Sequence, residues 1–253
     1  MANQESFIKL TGKVGDLSFR KTSKGYTAHQ KAKIDPKVLQ NSPKAQVLRE
    51  HKAEFTRSAI YSKMLRDAIR PITQYCKDRY HLARVNAAML RVIKADAENP
   101  SGARKMNTTV VQELTHFEFN SNVKLDAVYF PLMETGYDNA TYTASVKVPA
   151  FKNSDYFKFP KEATFAKLKL GMAIVDFESG ESRLSFVESE EQFKDEENTL
   201  EQNLSVSIEQ PINGYAFALL GVEYYRNVNG FIDRLYNGVT DALKIVSVNA
   251  VTV

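Results

Sequence analysis

Thr141-Tyr142-Thr143-Ala144-Ser145-Val146-Lys147-Val148 is the stretch that decides the fold class of this chain. Thr141, Thr143, Ser145 and Lys147 alternate with Tyr142, Ala144, Val146 and Val148, the period-two pattern of a strand with one face in a core and the other in water. A helix would scatter these apolar positions around its whole circumference.

The same texture extends outward from this strand. Leu114 to Phe119, Lys124 to Phe130, Thr164 to Phe177, Arg183 to Val187, Leu204 to Glu209, Ala216 to Tyr225 and Leu243 to Val253 are further strand candidates, punctuated by Asp138-Asn139, Ser179-Gly180 and Asn213-Gly214. Short strands spaced by turns, with no long helix between them, predict an antiparallel, immunoglobulin-like β-sandwich over residues 106–253.

Upstream the period changes. Asn41-Ser42-Pro43 reads as a helix start, with Ser42 as N-cap and Pro43 in the first turn. Val47, Leu48, Phe55, Ala59, Ile60, Met64, Leu65, Ala68 and Ile69 then recur at helical spacing up to Pro71, which should kink or end the helix. Leu82, Val85, Met89, Val92 and Ile93 line a second helix that stops at Asn99-Pro100-Ser101-Gly102. Before the helices lie short strands: Leu17 and Phe19 share one face, and Thr22-Ser23-Lys24-Gly25 is a turn before a returning strand.

The expected fold class is therefore α+β: an N-terminal β-hairpin plus a two-helix segment, followed by the sandwich. The expected segments are an N-terminal arm over 1–40, a basic helical pair over 41–105 and an acidic β domain over 106–253. The arm is too small to bury its own faces, since an isolated hairpin is marginal in water. Phe7, Leu10, Gly12, Gly15, Leu17, Phe19 and Tyr26 are its candidate interface residues, able to engage the helices or to add as a strand to a neighbouring subunit.

Charge follows the same division. Residues 1–105 hold 22 Lys and Arg against 9 Asp and Glu, a net +13, and residues 106–253 hold 12 against 21, a net −9. Three readings stay open: a basic half that contacts nucleic acid, halves that attract within one chain, or copies that attract head to tail. Arg49, Arg57, Lys63, Arg66, Arg84 and Arg91 are the candidate basic surface. Glu190, Glu191, Asp195, Glu196 and Glu197 form the densest acidic loop, without the ligand spacing of a calcium-binding EF-hand.

Composition points to a folded chain, with 43% hydrophobic and 25% charged residues. Cys76, the single cysteine, excludes an intrachain disulfide and a multi-cysteine zinc site. The N-terminus lacks the basic and apolar regions of a secretory signal, and no apolar run approaches a membrane span. Synthesis in the cytoplasm without a signal peptide is expected, with residence in a virion or released particle left open.

Catalytic patterns do not appear. His29, His51, His81 and His116 stand singly, Gly12 and Gly15 fit neither phosphate-binding glycine pattern, and no nucleophile elbow occurs. Neither a catalytic residue, a metal site nor a cofactor is expected, and the chain is expected not to be an enzyme.

The N-terminal 120 residues resemble an uncharacterised family of bacterial and phage-associated proteins. The resemblance rests on Gly12-Lys13-Val14-Gly15-Asp16-Leu17-Ser18-Phe19-Arg20-Lys21, Leu65-Arg66-Asp67-Ala68-Ile69-Arg70-Pro71, Gly102-Ala103-Arg104-Lys105 and Phe117-Glu118-Phe119-Asn120. It implies an architectural rather than a catalytic part.

Together these features predict a structural subunit that assembles as a homo-oligomer or into a phage-like or surface particle through its N-terminal strands and helices. Nucleic-acid binding by the basic helices is one alternative. Ligand recognition by exposed tyrosines, Tyr224, Tyr225 and Tyr236, is the other.

Overall fold

The structure, a computed structural model, describes residues 2–5, 7–30, 36–74, 78–235 and 240–253; Cys76 and Tyr236 lie outside them. It combines helices with antiparallel sheets in an α+β fold. The chain divides into two compact units, Met1–Arg49 and Glu50–Val253.

The first unit contains four strands, β1 (Ala2–Asn3), β2 (Gly12–Val14), β3 (Leu17–Thr22) and β4 (Gly25–Gln30), in the antiparallel order β1-β4-β3-β2. Ser23-Lys24 closes the β3–β4 hairpin, where Thr22 pairs with Gly25 and its Oγ1 donates to the Gly25 carbonyl at 2.9 Å. Gly15 has φ +57° and Gly25 +119°, backbone that glycine adopts without a side-chain clash. Within these strands the buried residues are Ser18 and Thr27, both polar.

A short helix α1 (Pro36–Asn41) follows. Ser42 is extended at φ −70° and ψ 131°, but its side chain makes no cap hydrogen bond. A 3-10 turn at Pro43–Ala45 therefore precedes the long helix, which starts at Gln46 instead of Pro43. That helix is α2 (Gln46–Ala68), and its course from Glu50 belongs to the second unit. Pro71 sits in the first turn of α3 (Arg70–Thr73), where a missing amide hydrogen costs little, and α4 (His81–Ala95) is the second long helix.

After α4 and a 3-10 turn at Val110–Leu114 come α5 (Leu125–Val128), β5 (Glu134–Asp138), β6 (Thr143–Val148) and α6 (Asn153–Tyr156). The remaining strands are β7 (Phe165–Val175), β8 (Ser182–Glu188), β9 (Gln192–Phe193), β10 (Gln202–Ser207), β11 (Gly214–Val228), β12 (Phe231–Arg234) and β13 (Ala242–Val251). β10, β6 and β5 form a three-stranded sheet. In the six-stranded sheet β11 pairs with β7, β12 and β13, while β7 pairs with β8 and β9, all antiparallel.

β7 is buried on both sides, which explains why its sequence is a nearly continuous apolar run rather than a clean alternation. Leu168, Leu170, Met172 and Ile174 join Ala144, Val146, Val148, Leu204 and Val206 in a core shared by the two sheets. Ala173 and Val175, with Phe217 and Leu219 of β11, face a second core lined by Leu65, Ile69, Ile72, Val85, Met89 and Ile93. The helices and the large sheet thus close one apolar layer, and the small sheet closes another.

Two expected strands take other forms. Leu114 to Phe119 runs beside β13, with the His116 and Phe119 amides donating to the Ile245 and Leu243 carbonyls at 2.8 Å, but His116 at φ +70° interrupts the ladder. Lys124 to Phe130 contains α5, because the Glu118 carboxylate accepts the Leu125 amide hydrogen at the helix start.

Candidate functional site

The candidate residues of the N-terminal arm are mostly exposed. Phe7 is 93% accessible, Ile8, Leu10, Val14 and Leu17 are also exposed, and Phe19 and Tyr26 are half-buried. Gly12, the first residue of β2, and Gly15, just after it, occupy glycine-favouring backbone with positive φ. Val14 and Leu17 of this sheet and Phe7, Ile8 and Leu10 of the β1–β2 connection are exposed, and among the described residues neither apolar core cluster includes a residue of these strands.

On α2 the expected apolar stripe is only partly buried. Tyr61, Leu65 and Ala68 face the core, whereas Val47, Leu48, Phe55 and Ile60 face out. The inner face is instead polar near Glu54, Ser58 and Ser62. Glu54, fully buried, accepts the Gly102 amide hydrogen at 2.9 Å and lies 3.7 Å from Arg104, while Arg57 donates to the Gly102 and Arg104 carbonyls. These bonds tie the Gly102-Ala103-Arg104-Lys105 loop to α2, so the outward apolar side chains are those the loop does not need.

Most of the candidate basic surface has internal work. Arg49 donates to the Leu39 and Ser42 carbonyls at 3.0 and 2.9 Å. Arg84 pairs with Asp78 at 2.9 Å, donates to the Phe119 carbonyl and lies over the Phe117 ring. Lys63 pairs with Asp67, and Arg66 Nε lies 3.5 Å from Ser62 Oγ. Arg91 is exposed. A guanidinium already forked onto backbone carbonyls has fewer donors left for a phosphate.

The acidic loop carries cavities on both sides of Glu196 and Glu197. One, of about 380 Å³, is lined by Asn153, Phe157 and Phe159; the other, of about 610 Å³, by Glu190, Glu191, Gln192 and Thr199. Glu191 reaches Lys167 at 3.6 Å, whereas Glu190, Asp195, Glu196 and Glu197 form no salt bridge among the described residues. No three His, Cys, Asp or Glu side chains among the described residues converge as metal ligands.

A buried ionic cluster escaped the sequence reading. The Lys169 ammonium lies 2.9 Å from both Glu188 and Glu223, and Arg234 lies 3.0 Å from both Glu223 and Asp241. Burial opposes the Lys169 charge, but its hydrogen bonds to the Glu223 and Glu188 carboxylates outweigh it and raise its pKa. Burial pushes the Asp241 carboxyl up to about 6 against the pull of Arg234. The available signal was Lys167 and Lys169 alternating inside an apolar run, opposite Glu223 in an equally apolar strand.

The candidate tyrosines differ in burial. Tyr224 is fully buried and donates to the Lys158 carbonyl at 2.8 Å; Tyr225 stacks on Phe165 at 5.1 Å and donates to Glu223. Tyr224 therefore offers no exposed recognition face, whereas Tyr225 is half-buried. Among the described residues no helix is long and apolar enough to cross a membrane. Comparison with protein-family models, curated proteins and solved structures finds no match.

Proposed function

We propose that this chain is a non-enzymatic assembly subunit that joins copies of itself through its N-terminal sheet, within a homo-oligomer or a phage-like or surface particle. The observation that carries this reading is a four-stranded sheet whose buried strand residues, Ser18 and Thr27, are polar, while Val14 and Leu17 of its strands and Phe7, Ile8 and Leu10 of the β1–β2 connection are exposed. Burying apolar area is the main source of sheet stability, at about 25 cal/mol per Å². A sheet that leaves its apolar side chains exposed gains that stabilisation when a neighbour covers them. The outward Val47, Leu48, Phe55 and Ile60 of α2 supply further apolar surface of the same kind.

The two facing sheets with a shared apolar core support reading the β region as a sandwich. Helices on the outer face of the larger sheet add a layer that a plain immunoglobulin-like sandwich lacks.

Light scattering after size exclusion, at low and high salt, tests the proposal. The expected mass is a multiple of 28.6 kDa, falling toward one chain when residues 1–30 are removed. A single-chain mass for the full chain at high concentration in both salts overturns it.

A further inference from the structure

We propose that two copies of this chain pair edge to edge through β8, antiparallel about Ser185, so that their six-stranded sheets run on as one across a two-fold axis. This contact is separate from the N-terminal sheet and gives the assembly a second surface.

The first argument is the open edge. β8 ends the six-stranded sheet, and among the described residues no strand pairs with its outer side. The Ser189 amide donates to the Leu168 carbonyl at 2.8 Å, and the Asp176 amide to the Glu181 carbonyl at 3.0 Å. Bonded pairs of this kind alternate along an antiparallel ladder with pairs whose N–H and C=O point away. In the register that runs from Lys169 opposite Glu188 to Val175 opposite Ser182, the backbone groups of Ser182, Leu184, Phe186 and Glu188 therefore point outward. The register carries no bulge and the strand no proline, two of the devices that keep sheet edges from pairing. A groove of about 510 Å³, lined by residues 183–187 and 205–210, runs beside this edge.

The second argument is that the strand is complementary to itself. Outward residues must meet outward residues, which restricts a well-overlapped two-fold pair to centres on Leu184, Ser185 or Phe186. About Ser185, Leu184 lies opposite Phe186 of the second copy and Ser182 opposite its Glu188, and no like charges meet. A centre on Phe186 would set Glu188 against Leu184, and a centre on Leu184 would set Phe186 against Ser182 and Glu181 against Val187. Phe186 is 48% exposed and shares its face with half-buried Leu184, so the Ser185 register covers both through two aromatic–aliphatic cross-strand pairs. β10 is also an open edge, but its exposed side chains, Asn203, Ser205 and Ser207, give a partner no apolar surface to cover. Because one patch meets its own copy, the β8 contact is isologous and closes as a dimer.

Cross-linking in the full-length chain tests this. The two Ser185 residues at the centre form a non-hydrogen-bonded pair with α-carbons about 4.5 Å apart, within the reach of a disulfide. In a Cys76→Ser background, Ser185→Cys should therefore yield a species of twice 28.6 kDa under mild oxidation, reversed by reductant. Arg183→Cys places its two copies four residues apart along the paired strands, about 13 Å, and should cross-link at least tenfold less. Adding Phe186→Lys to Ser185→Cys should lower the yield at least tenfold, with circular dichroism matching the parent. Absence of the dimer for Ser185→Cys, equal yields at the two positions, or a yield that Phe186→Lys leaves unchanged overturns the β8 pairing. The N-terminal sheet is judged separately, by light scattering before and after removal of residues 1–30, so either contact can fail while the other stands.

Discussion

Lys169 and Glu223, diagonal neighbours on adjacent strands, lie 2.9 Å apart, and the same Glu223 oxygen is 3.0 Å from Arg234. One carboxylate oxygen therefore serves two cations in a nearly dry position. Glu223→Gln should destabilise the fold by about 3 kcal/mol, because it leaves two buried cations sharing less compensation. Urea unfolding measures this. Adding Lys169→Met should recover more than half of the loss, since one uncompensated charge is removed with it. Additive losses in the double variant would show that the two residues do not act as a unit.

Gly171 is where α3 meets the sheet. A β-carbon there would lie 2.1 Å from Ile72 Cδ1, a separation that forces movement. Gly171→Ala should cost about 1–3 kcal/mol through overpacking. Ile72→Val removes the clashing methyl and should cost about 1 kcal/mol alone. The double variant should be more stable than the sum of the two predicts by at least ~1 kcal/mol, as measured in a thermodynamic cycle. Simple additivity would place the strain elsewhere.

Gly102 packs, less tightly, against Glu50. It has φ +85°, and a β-carbon would approach Glu50 Cγ at 2.9 Å, while its amide hydrogen satisfies buried Glu54. Gly102→Ala should therefore destabilise by about 1–3 kcal/mol, combining backbone strain with a weakened bond to Glu54. Amide hydrogen exchange should report faster opening across 99–105 and the facing turn of α2. Unchanged exchange there would mean that the loop is held by other contacts.

What the sequence revealed follows from how local each cause is. The alternation at Thr141 to Val148 and the apolar runs of β7 and β11 are imposed by burial of their own side chains, so the residues announce them. The ends of the helices were less visible, because Ser42 has the right chemistry for a cap and fails to make the bond. β5, with Glu134-Thr135-Gly136-Tyr137-Asp138, carries no apolar period and is a strand only because β6 pairs with it. The acidic loop was plain as composition, whereas the buried Asn153 and Gln192 beside it depend on distant segments folding together. Arg57 and Arg84 looked like a surface for the same reason: their carbonyl partners lie some 35 to 47 residues away in the chain.

Glu118 provides the pH test. Burial pushes its carboxyl up to about 7, with the Leu125 amide and Lys244 pulling the other way and Asp126 adding to the rise. A folded-state pKa above the unfolded value means that the native state holds the extra proton between about pH 4.5 and 7. Stability from this group is therefore greatest below about 4.5 and is lost as pH rises toward 7; the sign is opposite to that of Asp96, whose hydrogen bonds from the Lys105 amide and Asn99 hold it at about 2 and whose contribution disappears in acid. Glu118→Gln, which keeps a neutral carbonyl near the Leu125 amide, should gain stability relative to the parent as pH climbs from 4.5 to 7 and hold a constant difference above about 8. Urea midpoints across this range give the result directly. A difference between variant and parent that stays flat from 4.5 to 7 would show that Glu118 ionises as readily in the fold as outside it.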